Sequence, residues 1–250
     1  MVLRRWTSTA WHDPADAPHL VEREGHVLRG LASTDVPAPR VLAGDPTGAS
    51  TGVPSLLMTR PPGRMDLTPA DPRAWLRQIV AMAVRIHELG VAAEPYTWEA
   101  KDVPIPPWTS RPADWRAAAD VVRGAAPAHE IRFAHADYQH FNFLWQQGRL
   151  TGVVDWVDAF RGPADVDVGH CRLNLAVLYS ADLAADFLAA YEAEAGRRID
   201  PYWDIRSATS PARTDWAAFI PIQVGGRAGF DRGGMHRRVD EHLAATLRRT

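Results

Sequence analysis

The stretch that most limits what this chain can be runs from residue 135 to residue 167. It reads His135-Ala-Asp137-Tyr-Gln-His-Phe-Asn142, then Leu150-Thr-Gly-Val-Val-Asp155-Trp156, then Gly162-Pro163-Ala-Asp-Val-Asp167. An aspartate is followed five residues on by an asparagine, and a second aspartate closes an apolar run that reads as a strand. Three oxygen-bearing side chains in that order suit a hard cation such as Mg²⁺, which takes oxygen ligands and keeps waters and phosphate oxygens in its shell. Asp137 would accept a hydroxyl proton, while Asn142 and Asp155 would supply an amide oxygen and a carboxylate to the metal. Taken singly, each residue has a plainer reading: Asp137 as a loop cap, His135 as a structural histidine, Asp155-Trp156 as an ordinary strand end. It is their order and spacing that point to chemistry.

Composition narrows the class further. At 250 residues and 27.6 kDa the chain is one large domain or two lobes, long enough to bury a sizeable core. Apolar residues at 46% and charged residues at 23% are those of a globular protein. A net charge of -2 and a pI near 6.5 give no electrostatic footprint for nucleic acid. The one cysteine, Cys171, excludes an internal disulfide and a cysteine-based metal cluster. No apolar run approaches the ~20 residues of a membrane span, and the start, Met1-Val-Leu-Arg-Arg-Trp, lacks a signal-peptide core. A cytoplasmic protein is expected, without a membrane or nucleic-acid partner. The single lysine, Lys101, among many arginines and alanines reads as a GC-rich bacterial coding sequence.

Along the chain, residues 1–6 read as a strand and 12–19 as a loop. Leu20, Glu24, Val27, Leu28 and Leu31 recur at helical spacing. Val36-Pro-Ala-Pro39 stops that helix, an extended piece follows over 40–43, residues 44–54 are turn-rich, and 55–59 read as a buried strand. Pro61-Pro62-Gly63 reads as a linker between lobes, stiffened by two prolines and bent at the glycine. Asp71-Pro72 opens a strong helix that Gly90 stops. Residues 95–112 read as an irregular insertion, 112–122 as a short helix, and 131–134 and 152–154 as short strands. From Val168 onward the pattern is mostly helical, over 173–179, 183–191 and a closing helix with Val239, Leu243 and Leu247.

His135–Asn142, Val154-Asp155-Trp156 and Gly162-Pro163 with Asp167 resemble the aminoglycoside phosphotransferase and choline-kinase-like family, whose pattern is His-Gly-Asp-x₄-Asn, Ile-Asp-Trp, and Gly-Pro before an Asp that opens a helix. Val2-Leu3-Arg4, Arg23-Glu24, Val36-Pro37-x-Pro39 and Leu56-Leu57-Met58…Pro62-Gly63 resemble its N-terminal signals, so the likeness covers nearly the whole chain. It implies an α+β, bilobal protein-kinase-like fold with a small sheet lobe at 1–60 and a larger, mainly helical lobe at 61–250. It implies ATP and Mg²⁺ as cofactors and a small-molecule hydroxyl as acceptor. Asp137 becomes the catalytic base and His135 a brace for its loop. Asn142 and Asp155 become the magnesium ligands. Arg4, or failing that Arg5, takes the phosphate-contacting position, with Glu24 as its ion-pair partner. Backbone groups from Met58 to Arg60 meet the adenine, and Asp167 caps its helix or ties down the catalytic loop. For the acceptor the resemblance suggests Asp158, Asp204 and Asp215, with Trp203 and Trp216 as walls.

The chain departs from the family pattern at three places. Ala136 replaces a glycine, which matters if that position needs positive φ. Arginine stands where lysine is commoner, and the two differ in geometry. The family's nucleotide-covering hairpin normally precedes the Val-Leu-Arg strand, at which this sequence starts: either the start codon was assigned too late or the protein lacks the lid, and a missing hairpin leaves an exposed sheet edge open to pairing with another chain. The same departure supports an alternative, a non-catalytic kinase-like module that binds a small molecule or a protein. A metal-dependent hydrolase using His135, His140 and Asp137 is a third reading, weakened by the want of a recognisable zinc spacing.

Overall fold

The computed structural model describes residues 1–7, 13–97, 102–212 and 234–250. The chain divides into two compact units: Met1–Pro95 with Ile131–Asp137 and Asn142–Gly162, and Tyr96–Glu130 with Tyr138–Phe141 and Pro163–Thr250.

The first unit holds all of the described strands. β1 (Val2–Arg5), β2 (Val41–Asp45) and β3 (Ser55–Met58) form an antiparallel sheet in the order β1-β3-β2. The central strand β3 is largely buried, whereas both outer strands face water along most of their length. Helix α1 (Ala17–Leu31) lies on this sheet through Leu20, Val21, Val27, Leu28 and Leu31. It begins three residues before the apolar pattern does, because the Asp13 carboxylate accepts from Ala15 N–H and sets up a 3₁₀ turn, and Pro18 fits the first helical turn.

Helix α2 (Pro72–His87) starts where the sequence places it, with Asp71 accepting from Ala74 N–H at 2.9 Å. It packs on a hairpin that the sequence reading had only half found: β6 (Phe143–Gln146) paired with β7 (Arg149–Val153). The connecting pair Gln147-Gly148 has φ 51° and 72°, the positive values a two-residue hairpin turn requires. Gln78 of α2 clasps this turn, donating to Gly148 O and accepting from Leu150 N–H. Pro61-Pro62-Gly63 is pinned against the same hairpin and is no free tether. Thr151 donates to Pro62 O at 2.7 Å, and Arg64 and Trp145 exchange two backbone hydrogen bonds. Gly63 has φ 99°, and a Cβ there would lie 2.6 Å from Trp145 O. A third sheet joins β4 (Glu94–Pro95), β8 (Phe160–Gly162) and β5 (Arg132–Ala134) in the order β4-β8-β5.

The second unit is helical among its described residues: α3 (Pro112–Arg123), α4 (Asp165–Leu178), α5 (Ala181–Ala195), α6 (Pro201–Ala208) and α7 (Met235–Leu247). α4 is buried on every side except at His170, as expected of a central helix. It runs so close to α6 that a Cβ on Gly169 would meet Ser207 Oγ and Trp203 O at 2.8 Å. Asp240 of α7 accepts from Thr109 Oγ1, Ser110 N–H, Ser110 Oγ and the Trp115 indole, which fastens the irregular segment before α3. Among the described residues no helix is long and apolar enough to cross a membrane.

Candidate active site

The β6–β7 hairpin builds the centre of the site, because Asn142 enters it and Asp155 leaves it. Val154 N–H donates to Asn142 O at 3.0 Å, which holds the two ends together. Asn142 spends its amide hydrogens on the loop before it, donating to Asp137 O at 2.8 Å and to Asp137 Oδ2 at 2.7 Å. The amide oxygen is then the atom Asn142 can offer a ligand. Asp137 is half-buried, so its carboxylate is not enclosed in apolar interior.

On the other side of the hairpin end, Arg4 Nη1 meets Asp155 Oδ1 at 2.6 Å and Glu24 Oε1 at 2.9 Å. Its guanidinium lies over the Trp6 ring, 4.7 Å from the centroid. Burial works against the Arg4 charge, but Glu24 and Asp155 outweigh it and hold its pKa above the ordinary arginine value. Burial also lifts the Glu24 carboxyl to about 7 against the opposing pull of Arg4, with the nearby Asp155 adding to the rise. Arg5 points elsewhere, to Thr51 O at 3.0 Å, as strand alternation requires. Of the two arginines, Arg4 is the one paired with Glu24 and Asp155.

Two backbone positions are strained. Asp155 has φ 68° and Ala136 has φ 73°, each beside or within the pair of carboxylates. Left-handed backbone outside glycine costs energy and persists where the surroundings impose it. The surroundings here are identifiable. His135 is fully buried, its ring tilted against Trp156 at 4.4 Å, and its Nε2–H donates to Val154 O at 3.0 Å. His135 thus holds the residue before Asp155.

The donor set suits magnesium. Among the described residues no group of three or more His, Cys, Asp or Glu side chains could hold a metal ion. A zinc site of His135, His140 and Asp137 consequently has no ligand set, and both histidines are fully buried. Magnesium needs less from the protein, one or two carboxylates plus phosphate oxygens. The half-exposed Asp155 carboxylate and the Asn142 amide oxygen are oxygen donors of that kind, on residues at the two hairpin ends that Val154 N–H to Asn142 O ties together.

The remaining expected residues are scattered. Met58 is buried in the central strand, Arg60 is exposed, and Thr59 between them spends its N–H on Arg40 O at 2.9 Å. Asp158 is half-buried in the turn after Asp155. Asp167 is fully buried in the first turn of α4, in Coulombic range of the buried Tyr138 hydroxyl, and does not form the cap. Asp204 and Trp203 correct the expectation of an acceptor-facing pair. Trp203 is 2% exposed and Asp204 fully buried, with Arg172 and Arg249 closing on the Asp204 carboxylate. That is an internal ion-pair cluster with nothing to offer a soluble amine. Asp215 and Trp216 lie outside the described residues. The sequence reading gave no part to Trp6, although an aromatic two residues after the arginine of a strand shares its face.

A sequence model of the phosphotransferase enzyme family matches residues 1–202. No curated protein matches the sequence. Among solved structures, a thermostable mutant of aminoglycoside phosphotransferase APH(4)-Ia in its apo form is similar with a TM-score of 0.61 and 17% identity, over 100% of this chain and 94% of that one. A candidate aminoglycoside phosphotransferase from Ralstonia eutropha JMP134 gives 0.60 and 18%, over 92% and 84%. Another mutant of APH(4)-Ia, in ternary complex with AMP-PNP and hygromycin B, gives 0.60 and 17%, over 94% and 84%. At these identities the likeness is one of fold: an α+β, protein-kinase-like fold.

Proposed function

Because the chain belongs to the phosphotransferase enzyme family, we propose that it moves the γ-phosphoryl group of ATP to a hydroxyl of a small molecule, an aminoglycoside-like compound or a related amino alcohol or sugar. The observation that carries this reading is the linked contact set Asp137–Asn142 and Asp155–Arg4–Glu24 at one end of one hairpin. In this reading residues 1–60 serve the nucleotide and residues 61–250 carry the catalytic loop and the acceptor.

The acceptor hydroxyl gives its proton to Asp137 as its oxygen bonds to the γ-phosphorus. The bond from that phosphorus to the bridging oxygen breaks, and ADP and a phosphate ester leave. Asn142 orients the Asp137 carboxylate through its amide N–H. Asn142 and Asp155 would hold magnesium, which when bound neutralises phosphate charge. Arg4 brings a fixed positive charge to the phosphates, held by Glu24 and by the face of Trp6. Backbone groups around Met58 and Arg60 receive the adenine. Asp158 and Asp215 remain the acidic candidates for an amine-bearing acceptor, and the ternary complex of the hygromycin B-binding relative supports looking for one. The same reading puts the protein in the cytoplasm, where ATP is. The outer position of β1, with Val2 and Leu3 exposed, offers an edge for self-association.

Nucleotide binding tests the reading without knowledge of the acceptor. AMP-PNP and Mg²⁺ together are expected to stabilise the protein by about 2.7 kcal/mol at a hundredfold excess over Kd, a shift of roughly 5–10 °C in Tm for a chain of this size. Asp155→Asn, which tolerates the left-handed backbone, is expected to abolish the Mg²⁺-dependent part. No shift in the unsubstituted protein, or an equal shift in the variant, would remove the proposal's support.

A further inference from the structure

Arg23 stands next to Glu24 on α1, and the 100° between successive helical residues sends it to a different neighbour. Its Nη2 donates to two consecutive carbonyls, Asp158 O at 3.0 Å and Ala159 O at 3.3 Å. These lie three and four residues past Asp155, in the turn closed by Ala159 N–H donating to Trp156 O. The Arg23 Nε is 3.6 Å from Glu94 Oε2, and the other oxygen of that carboxylate meets His19 Nε2 at 3.0 Å. Glu94 sits in β4, whose partner β8 begins at Phe160, directly after the turn that Arg23 grips. The Arg23 side chain is only 20% exposed, so these are not contacts that water readily replaces.

Helix α1 therefore holds the segment 155–159 at three places. One is Asp155 itself, through Glu24 and Arg4; the second is Trp156 N–H, which donates to the Glu24 carboxylate; the third is the pair of carbonyls reached by Arg23. Asp155 is held from both sides, although a φ of 68° is not a conformation its own backbone prefers. The geometry points to Arg23 as a positioning residue that fixes the turn after Asp155 to α1 and so sets the Asp155 carboxylate for the metal-bound nucleotide. Its effect on turnover rests on the phosphotransferase reading; its effect on the turn does not.

The test uses Arg23→Met, which keeps the length of the stem, and Arg23→Lys, which keeps the charge and can reach one carbonyl. Amide hydrogen exchange on the full chain without nucleotide reads the turn directly. Arg23→Met is expected to raise exchange at Ala159 about tenfold, the size of one lost charge-assisted hydrogen bond, with the amide of Trp156, held by Glu24, and those of α2 unchanged. Arg23→Lys should fall between the two. In the transfer assay the Mg²⁺ concentration for half-maximal rate should rise and kcat fall in Arg23→Met, while KM for the acceptor stays put. Unchanged exchange at Ala159 would overturn the assignment, whatever the assay shows. So would a general rise across α1 and α2, which marks a merely structural role. If Arg23→Met does not fold, the same comparison on Arg23→Lys decides, and exchange equal to the unsubstituted protein overturns it. Absence of any transfer by the unsubstituted protein would count against the phosphotransferase reading and leave the exchange result standing for Arg23.

Discussion

Ala136 and Asp155 sit in the same unfavourable region of backbone space for different reasons. The φ of 68° at Asp155 comes with a carboxylate that the proposed chemistry uses, so the strain is tolerated for what the side chain does. The methyl of Ala136 has no such use at φ 73°. Glycine adopts this conformation freely, and the resembled family has glycine there. Ala136→Gly is expected to stabilise the protein by about 1 kcal/mol, the left-handed penalty less the extra freedom of glycine when unfolded. A higher urea midpoint at unchanged slope would show it; a lower midpoint would mean that the alanine methyl makes packing contacts worth more than the strain. Arg4 is a second residue whose identity has a geometric reason. One guanidinium touches two carboxylates and lies over the Trp6 ring, and a lysine ammonium lacks the fork that reaches several partners at once.

At the scale of elements, α4, α6 and α7 meet around buried charges. Asp204 of α6 is fully buried against Arg172 of α4 and Arg249 just beyond α7, and His242 of α7 lies 3.8 Å from its other oxygen. Burial lowers the His242 pKa to about 3, and Arg172 and Arg249 push the same way. The unfolded chain takes up this proton near pH 6.5, whereas the folded protein holds it off until about 3. Stability is therefore full above pH 6.5 and is lost as pH falls toward 3. Between pH 7 and pH 5 the loss from this group is about 2 kcal/mol, and His242→Gln should remove it. Urea unfolding at the two pH values checks this; equal pH slopes in both proteins would contradict it.

Elements with a local signal were legible in the sequence. Asp71-Pro72 announced α2, and the spacing Leu20–Leu31 announced α1. Phe143–Gln146 carried too short a pattern to separate a strand from a loop, and β6 emerged only with its partner. Asp204 could not be read either, because an aspartate after Trp203 looks the same in sequence whether it faces water or two arginines.

Across the whole molecule, Arg4, Glu24, Asp137, Asn142 and Asp155 come from separate stretches of chain yet belong to one compact unit. The pairings span 20 residues for Arg4–Glu24 and 151 for Arg4–Asp155, distances over which no local periodicity carries information. The residue types and order within 135–155 carried the chemistry; topology supplied the rest. A net charge of -2 leaves the whole-molecule field weak, so selectivity for a cationic acceptor would have to come from individual carboxylates near the site. The most direct measurement is transfer of labelled γ-phosphate from ATP to a panel of candidate alcohols, by the unsubstituted protein and by Asp137→Asn. The account predicts label in an acceptor with the former, and a loss of roughly 10²–10⁴-fold with the latter, while both bind nucleotide alike. Transfer by Asp137→Asn at the unsubstituted rate would contradict it.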